Sequence, residues 1–260
     1  MKNFVFFKNM LGQRKMCNFH KIEKHLDIHC FKLKHNLKDD LFSLYKHNIK
    51  NKNCFTIGGD HSLSIATLSS SIYKHGSDIK VLWFDAHPDI NSYEKSETKN
   101  IHGMVLNYIT HLGNNSDYTF DFIPKIPLHP SNILYIGLRD IDNYEKEIIE
   151  KYKIQQITCD DVNNDPSKVV DTIDEFVGDS KFHLSLDIDG LDPIYMPSTG
   201  TPVDNGMHLD PLLFILQYIN HKNRINTDIV ELNTCIGSEL EKEITLNNVK
   251  HIIETLKKTL

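Results

Sequence analysis

The stretch Val81–Asn91, VLWFDAHPDIN, decides how this chain is read. A short apolar run, Val81–Phe84, is followed at once by Asp85, His87 and Asp89 at alternate positions. A run that is apolar throughout is what a strand covered on both faces requires. Similar runs recur at Phe4–Phe7 (FVFF), Ile28–Leu33 (IHCFKL), Cys54–Gly58 (CFTIG), Ile133–Gly137 (ILYIG), Phe182–Asp187 (FHLSLD) and Asp228–Leu232 (DIVEL). Crowding two carboxylates and an imidazole against such a strand costs repulsion and desolvation, so something must offset it.

Helical patterns separate these runs. Ser62–Gly76 places Ile65, Leu68 and Ile72 at i, i+3, i+7 and ends on a glycine, a C-cap signal. Asp165–Asp179 has Pro166 near its start and Gly178 past its end. Leu246–Leu260 gives a third amphipathic helix. The alternation predicts an α/β fold with a mostly parallel central sheet flanked by helices. No repeat, low-complexity tract or linker divides the chain. The Pro-bearing segment Thr119–Asn132 is the best break, but the strand after it continues the same pattern. Residues 1–260 are therefore read as one domain.

The bulk numbers narrow the function. The chain has 260 residues, 40% of them hydrophobic, which is enough for a sizeable core. A net charge of -6 argues against nucleic acid, which needs a basic face. The Lys-rich stretch His35–Asn53 is of mixed sign and reads as solvated surface. No apolar run reaches the roughly 18 residues of a membrane span. The N-terminal FVFF is cut by Lys8, too short for a signal-peptide core. Five cysteines, Cys17, Cys30, Cys54, Cys159 and Cys235, are scattered without C-x-x-C spacing, which suits free thiols in a reducing compartment. A cytoplasmic protein is expected.

In open α/β sheets functional groups gather at the carboxyl ends of strands. GGDHS after the Cys54 strand supplies His61, the Val81 strand supplies Asp85, His87 and Asp89, and SLDIDGLDP supplies Asp187 and Asp189. One Asp-x-His pattern would pass as a capping or surface motif; three such segments, each closing an apolar strand, point to one crevice. Two divalent cations would remove the repulsion. Oxygen and nitrogen donors without thiolate suit Mn²⁺ or a related first-row ion better than structural zinc. Two ions about 3.5–4 Å apart hold a water as hydroxide near neutral pH, ready to attack carbon or phosphorus.

The motifs GGDHS, DAHPDIN, NIHG, GLRDID…E, SLDIDGLDP, TGTPV and DIVELN run from Cys54 to Asn233 in the order seen in arginases, and the chain resembles that ureohydrolase family. The resemblance implies a three-layer arginase-like fold and two Mn²⁺ per subunit. His61 and Asp89 would bind one ion, His87 and Asp189 the other, with Asp85 and Asp187 bridging. It makes His102 the residue that relays protons to the leaving amine and Glu231 the acid that grips the guanidinium, where a carboxylate offers a bidentate acceptor. Asn91 and Thr98 would hold the α-carboxylate of the substrate, Asp142 and Glu145 would face its α-amino group, and Thr201 would bond near the guanidinium acid. The implied reaction is hydrolysis of L-arginine to L-ornithine and urea, with metal-bridging hydroxide attacking the guanidinium carbon and Asp189 and the metals stabilising the tetrahedral intermediate. Rivals are an agmatinase or guanidino-acid hydrolase, and a metal-binding homologue without turnover.

The first fifty residues depart from the family: Lys8–Leu26 lacks the expected Gly-Pro loop and reads as compressed. His25 and His29, spaced i, i+4, read as a solvated helix face or strand start. The resemblance also implies a homo-oligomer, a trimer.

Overall fold

The computed structural model describes residues 4–7, 36–113 and 119–259. The expected strand Ile28–Leu33, the compressed segment Lys8–Leu26, His25, His29, Cys17 and Cys30 lie outside the described residues.

Among the described residues seven parallel strands form one sheet: β1 (Phe4–Phe7), β2 (Cys54–Gly58), β3 (Lys80–Phe84), β4 (Ile133–Ile136), β5 (Gln155–Ile157), β6 (Phe182–Asp187) and β7 (Arg224–Val230), in the spatial order β1-β2-β7-β6-β3-β4-β5. Every described pairing is parallel, so among the described residues the sheet expected to be mostly parallel is wholly so. Helices α1 (Leu37–Lys50), α2 (Leu63–His75), α3 (Val105–Thr110), α4 (Asn143–Tyr152), α5 (Cys159–Asn164), α6 (Pro166–Val177) and α7 (Leu209–Tyr218) lie between strands, and α8 (Glu239–Lys258) follows the last.

Strand periodicity splits the core in two. On β3, Leu82 and Phe84 pack with residues of α5 to α8, while Val81 and Trp83 pack with residues of α1 to α4. This makes three layers, helices on both faces of the sheet, and explains why the strand sequences are apolar throughout. Local signals set the helix ends. Asp165 accepts from Lys168 N (3.1 Å) ahead of Pro166, and Gly178 stops α6 at φ +51°. Ser238 and Glu241 form a reciprocal capping box at the start of α8.

Helix α2 differs from its expected amphipathic form, because Leu63 to Ile72 is buried all round, serines included. Its hydroxyls face polar groups of the sheet. Ser64 and Thr67 donate to the Asp228 carboxylate, and Ser71 Oγ lies 2.9 Å from His183 Nδ1. Cys54, Cys159 and Cys235 are free thiols. Among the described residues no helix is long and apolar enough to cross a membrane.

Candidate metal centre and substrate cavity

Four neighbouring strands, β2, β7, β6 and β3, bring their carboxyl ends to one place. His61 stands in the turn from β2 to α2, and Asp85, His87 and Asp89 follow β3. Asp187 ends β6, Asp189 lies in the 3-10 turn Ile188–Gly190, and Glu231 follows β7. Asp89 and Glu231 adopt left-handed backbone, φ +48° and +61°, a costly conformation for residues with a Cβ.

All six expected ligands converge. His61 Nδ1 lies 3.2 Å from Asp85, 3.0 Å from Asp89 and 3.1 Å from Asp187. His87 Nδ1 lies 3.5 Å from Asp85 and 3.3 Å from Asp189. Asp85 joins the two groups, turning Oδ2 to His61 and Oδ1 to His87. Surrounding side chains fix the donors. Ser185 Oγ meets His61 Nε2 at 2.9 Å, Trp83 stacks on the same ring at 4.2 Å, and Thr201 donates to Asp189 Oδ2 at 3.0 Å.

The residues fit a cation. Buried polar atoms normally find hydrogen-bond partners, yet His61 Nδ1 and Asp85 Oδ2, both shut away from solvent, have none. Nδ1 instead points between three carboxylate oxygens. Taken as protein groups alone, the cluster is electrostatically frustrated. Burial raises the Asp187 and Asp89 carboxyls and neighbouring carboxylates push them further. Burial also opposes charge on His87, but Asp189 and Asp85 outweigh it and lift the ring to about 12. Protonating imidazoles would balance the acids but consume the nitrogen lone pairs. A divalent cation balances them and uses those lone pairs as ligands.

Beside the cluster lies a cavity of about 180 Å³ whose walls include every expected substrate residue: Asn91, Thr98, Asp142, Glu145, Thr201 and Glu231, with His102. Asn91 donates to Asp142 Oδ2 (2.7 Å). Glu145 is buried, and its two oxygens accept from Ile90 N (3.1 Å) and Asp142 N (3.1 Å). Glu231 Oε1 accepts from the His61 backbone amide at 2.7 Å. Burial, together with the Asp60 charge, raises the Glu231 carboxyl above its ordinary value. Burial opposes charge on His102, but Asp60 and Glu231 raise the ring to about 9.

The arginase family profile matches residues 9–256. An arginase of Coccidioides immitis is 37% identical over 199 residues, 73% of this chain and 62% of the relative. An arginase of Entamoeba histolytica is 37% identical over 205 residues, 77% of this chain and 67% of the relative. The chain belongs to the arginase family. The solved structure of the Entamoeba histolytica arginase in complex with L-ornithine superposes with a TM-score of 0.83 at 28% identity, covering 98% of this chain and 97% of that one. The arginase-like fold expected from the motifs is therefore present. The aligned part spans about three fifths of the Coccidioides relative, 62% of its length.

Several cavity and support residues escaped the sequence reading. Asp140 and Ser96 line the cavity. Ser185 was legible, since it precedes Asp187 by two on β6 and so shares its face. Arg139 reaches the carbonyls of Gly137, Asp189, Gly190, Leu191, Val203 and Asp204, tying the β4 end to the loop that bears Thr201. Nothing in local pattern announces such a hub.

Proposed function

We propose that this chain hydrolyses L-arginine to L-ornithine and urea, using two Mn²⁺ held by His61, Asp85, His87, Asp89, Asp187 and Asp189. The observation that carries the reading is His61 Nδ1, buried without a hydrogen-bond partner among three carboxylate oxygens, at the edge of the cavity that holds Glu231. His61 and Asp89 would hold one ion and His87 and Asp189 the other. Asp85 and Asp187 would help to hold both; the two oxygens of Asp85 diverge, one toward His61 and the other toward His87. When bound, the ions neutralise the acids and make water nucleophilic near neutral pH.

The protein groups do the rest. Glu231, fixed by the His61 amide, accepts two N–H groups of the planar guanidinium and turns its carbon toward the cluster. Asn91 and Thr98 receive the α-carboxylate; one Asn91 amide proton is held by Asp142, leaving the other for the substrate. Asp142 faces the α-ammonium. Glu145, both of whose oxygens take backbone amides, stiffens that corner rather than reaching far into it. His102 delivers a proton to the departing δ-nitrogen, giving ornithine and urea.

The test is a urea assay on Mn²⁺-loaded protein with L-arginine, agmatine and guanidino acids side by side. Equal release of urea and ornithine from arginine, with little from agmatine, supports the proposal. Bound metal without urea from any of them overturns it.

A further inference from the structure

We propose that Asp60 is a positioning residue that holds His102 in the orientation for proton delivery; this rests on the arginine hydrolysis proposed above. Asp60 lies in the turn after β2 and is only 1% exposed. Its Oδ1 accepts from Ser62 N at 2.9 Å, which fixes the plane of the carboxylate. That leaves Oδ2, buried and without a hydrogen-bond partner, 3.6 Å from His102 Nδ1, which is equally buried and equally without one.

A buried carboxylate oxygen lacking a donor costs roughly 1–3 kcal/mol or more, and the imidazole N–H it faces is the donor that removes that cost. The gap is longer than a hydrogen bond, as catalytic contacts often are before substrate tightens them. Nδ1 is shut away against Asp60, while 21% of the side chain stays exposed and His102 lines the cavity. The placement is coupled to the substrate end. Asp60 adjoins His61, whose backbone amide holds Glu231 Oε1 at 2.7 Å. One short turn therefore sets both the guanidinium acceptor and the proton donor.

Asp60→Asn tests this with little change of shape. Ser62 N keeps the amide oxygen on its own side, so an NH₂ group faces Nδ1 where an acceptor stood. We expect kcat for arginine to fall about 10- to 100-fold, in line with loss of a group that orients an acid–base residue, while KM stays within about twofold and metal content is unchanged. In a His102→Asn background the same change should cost under about twofold, because the two residues act as a unit. An equal loss in both backgrounds, loss of metal, or a raised KM with kcat intact overturns the assignment.

A second readout needs no turnover. In ¹⁵N-histidine spectra of protein freed of paramagnetic ions, the Nδ1–H signal that disappears in His102→Asn should also disappear in Asp60→Asn. Its persistence there overturns the assignment. If the signal behaves as expected but the wild type makes no urea from arginine, the substrate reading fails and the Asp60–His102 pairing stands.

Discussion

Two clusters of buried carboxylate and imidazole meet on β6, where His183 and Asp187 stand four residues apart, and they are built on opposite principles. In the middle of the sheet, Asp228 Oδ2 accepts from Ser64, Thr67 and His183 Nε2, the last at 2.9 Å, and Ser71 meets His183 Nδ1. A single carboxylate and a single imidazole are thus supplied with hydroxyl groups; Asp228 Oδ1 alone lacks a partner. At the strand tips, four carboxylates face two imidazoles with no hydroxyl donor aimed at His61 Nδ1. Donors provided by the chain mark scaffold, and donors withheld mark a place that expects a ligand.

That contrast breaks most readily at Asp85. Asp85→Asn should lower urea release by at least about 10³-fold, roughly 4 kcal/mol of barrier, and lose bound metal by elemental analysis. Without metal, an Asp187→Asn variant should melt at or above the wild-type Tm, because burial and the Asp189 and Asp85 charges disfavour that carboxylate. A lower Tm for the metal-free variant would place the tip cluster among the scaffold.

Asp228→Ala should do the reverse. Leaving His183, Ser64 and Thr67 without their shared acceptor costs about 3–5 kcal/mol, a Tm drop of roughly 6–15 °C for a chain of this size. Metal per folded molecule should not change. Thermal melts beside metal analysis check both halves.

Ser185→Ala sharpens the boundary, since it removes only the partner of His61 Nε2. Metal affinity should weaken about 10- to 100-fold with little loss of Tm, read by competition with a chelator of known affinity.

The smallest effect lies outside both clusters. His221 accepts from Arg224 through Nδ1 (2.9 Å) and meets the Leu216 carbonyl through Nε2 (2.7 Å), so the folded ring is held neutral. Burial first, and then the Arg224 charge, lower it to about 4. The folded value lies below the unfolded value of about 6.5. Its contribution is therefore complete above pH 6.5 and lost as pH falls toward 4, an effect of about 1–2 kcal/mol after solvent screening. Denaturant unfolding at pH 7 and pH 4.5 should show a smaller loss in His221→Gln than in the wild type.

The tip cluster was legible in the sequence because its residues end apolar strands at fixed, short spacing, and all six arrive where strand topology sends them. The mid-sheet cluster was not. Its parts are a serine-rich stretch of α2 and single residues in β6 and β7, which periodicity alone reads as a solvated helix face and ordinary strand positions. Strand β7 likewise begins at Arg224, ahead of the expected Asp228, because Arg224 is buried through the Leu256 carbonyl and the Phe55 ring. Helix α4 and strand β5 were passed over: half of the first is charged, and the second is a three-residue edge strand with two exposed glutamines.

The sheet order also sets a sequence of events in time. Strand β2 pairs with β7 across 172 residues, Cys54 to Asn226, so a growing polypeptide carries His61 long before its neighbour exists. The gap between β2 and β6 closes only when β7 slides into it, late in synthesis and slowly, as distant parallel pairings form. Until then the strand tips that bear the six donors cannot close into one cluster.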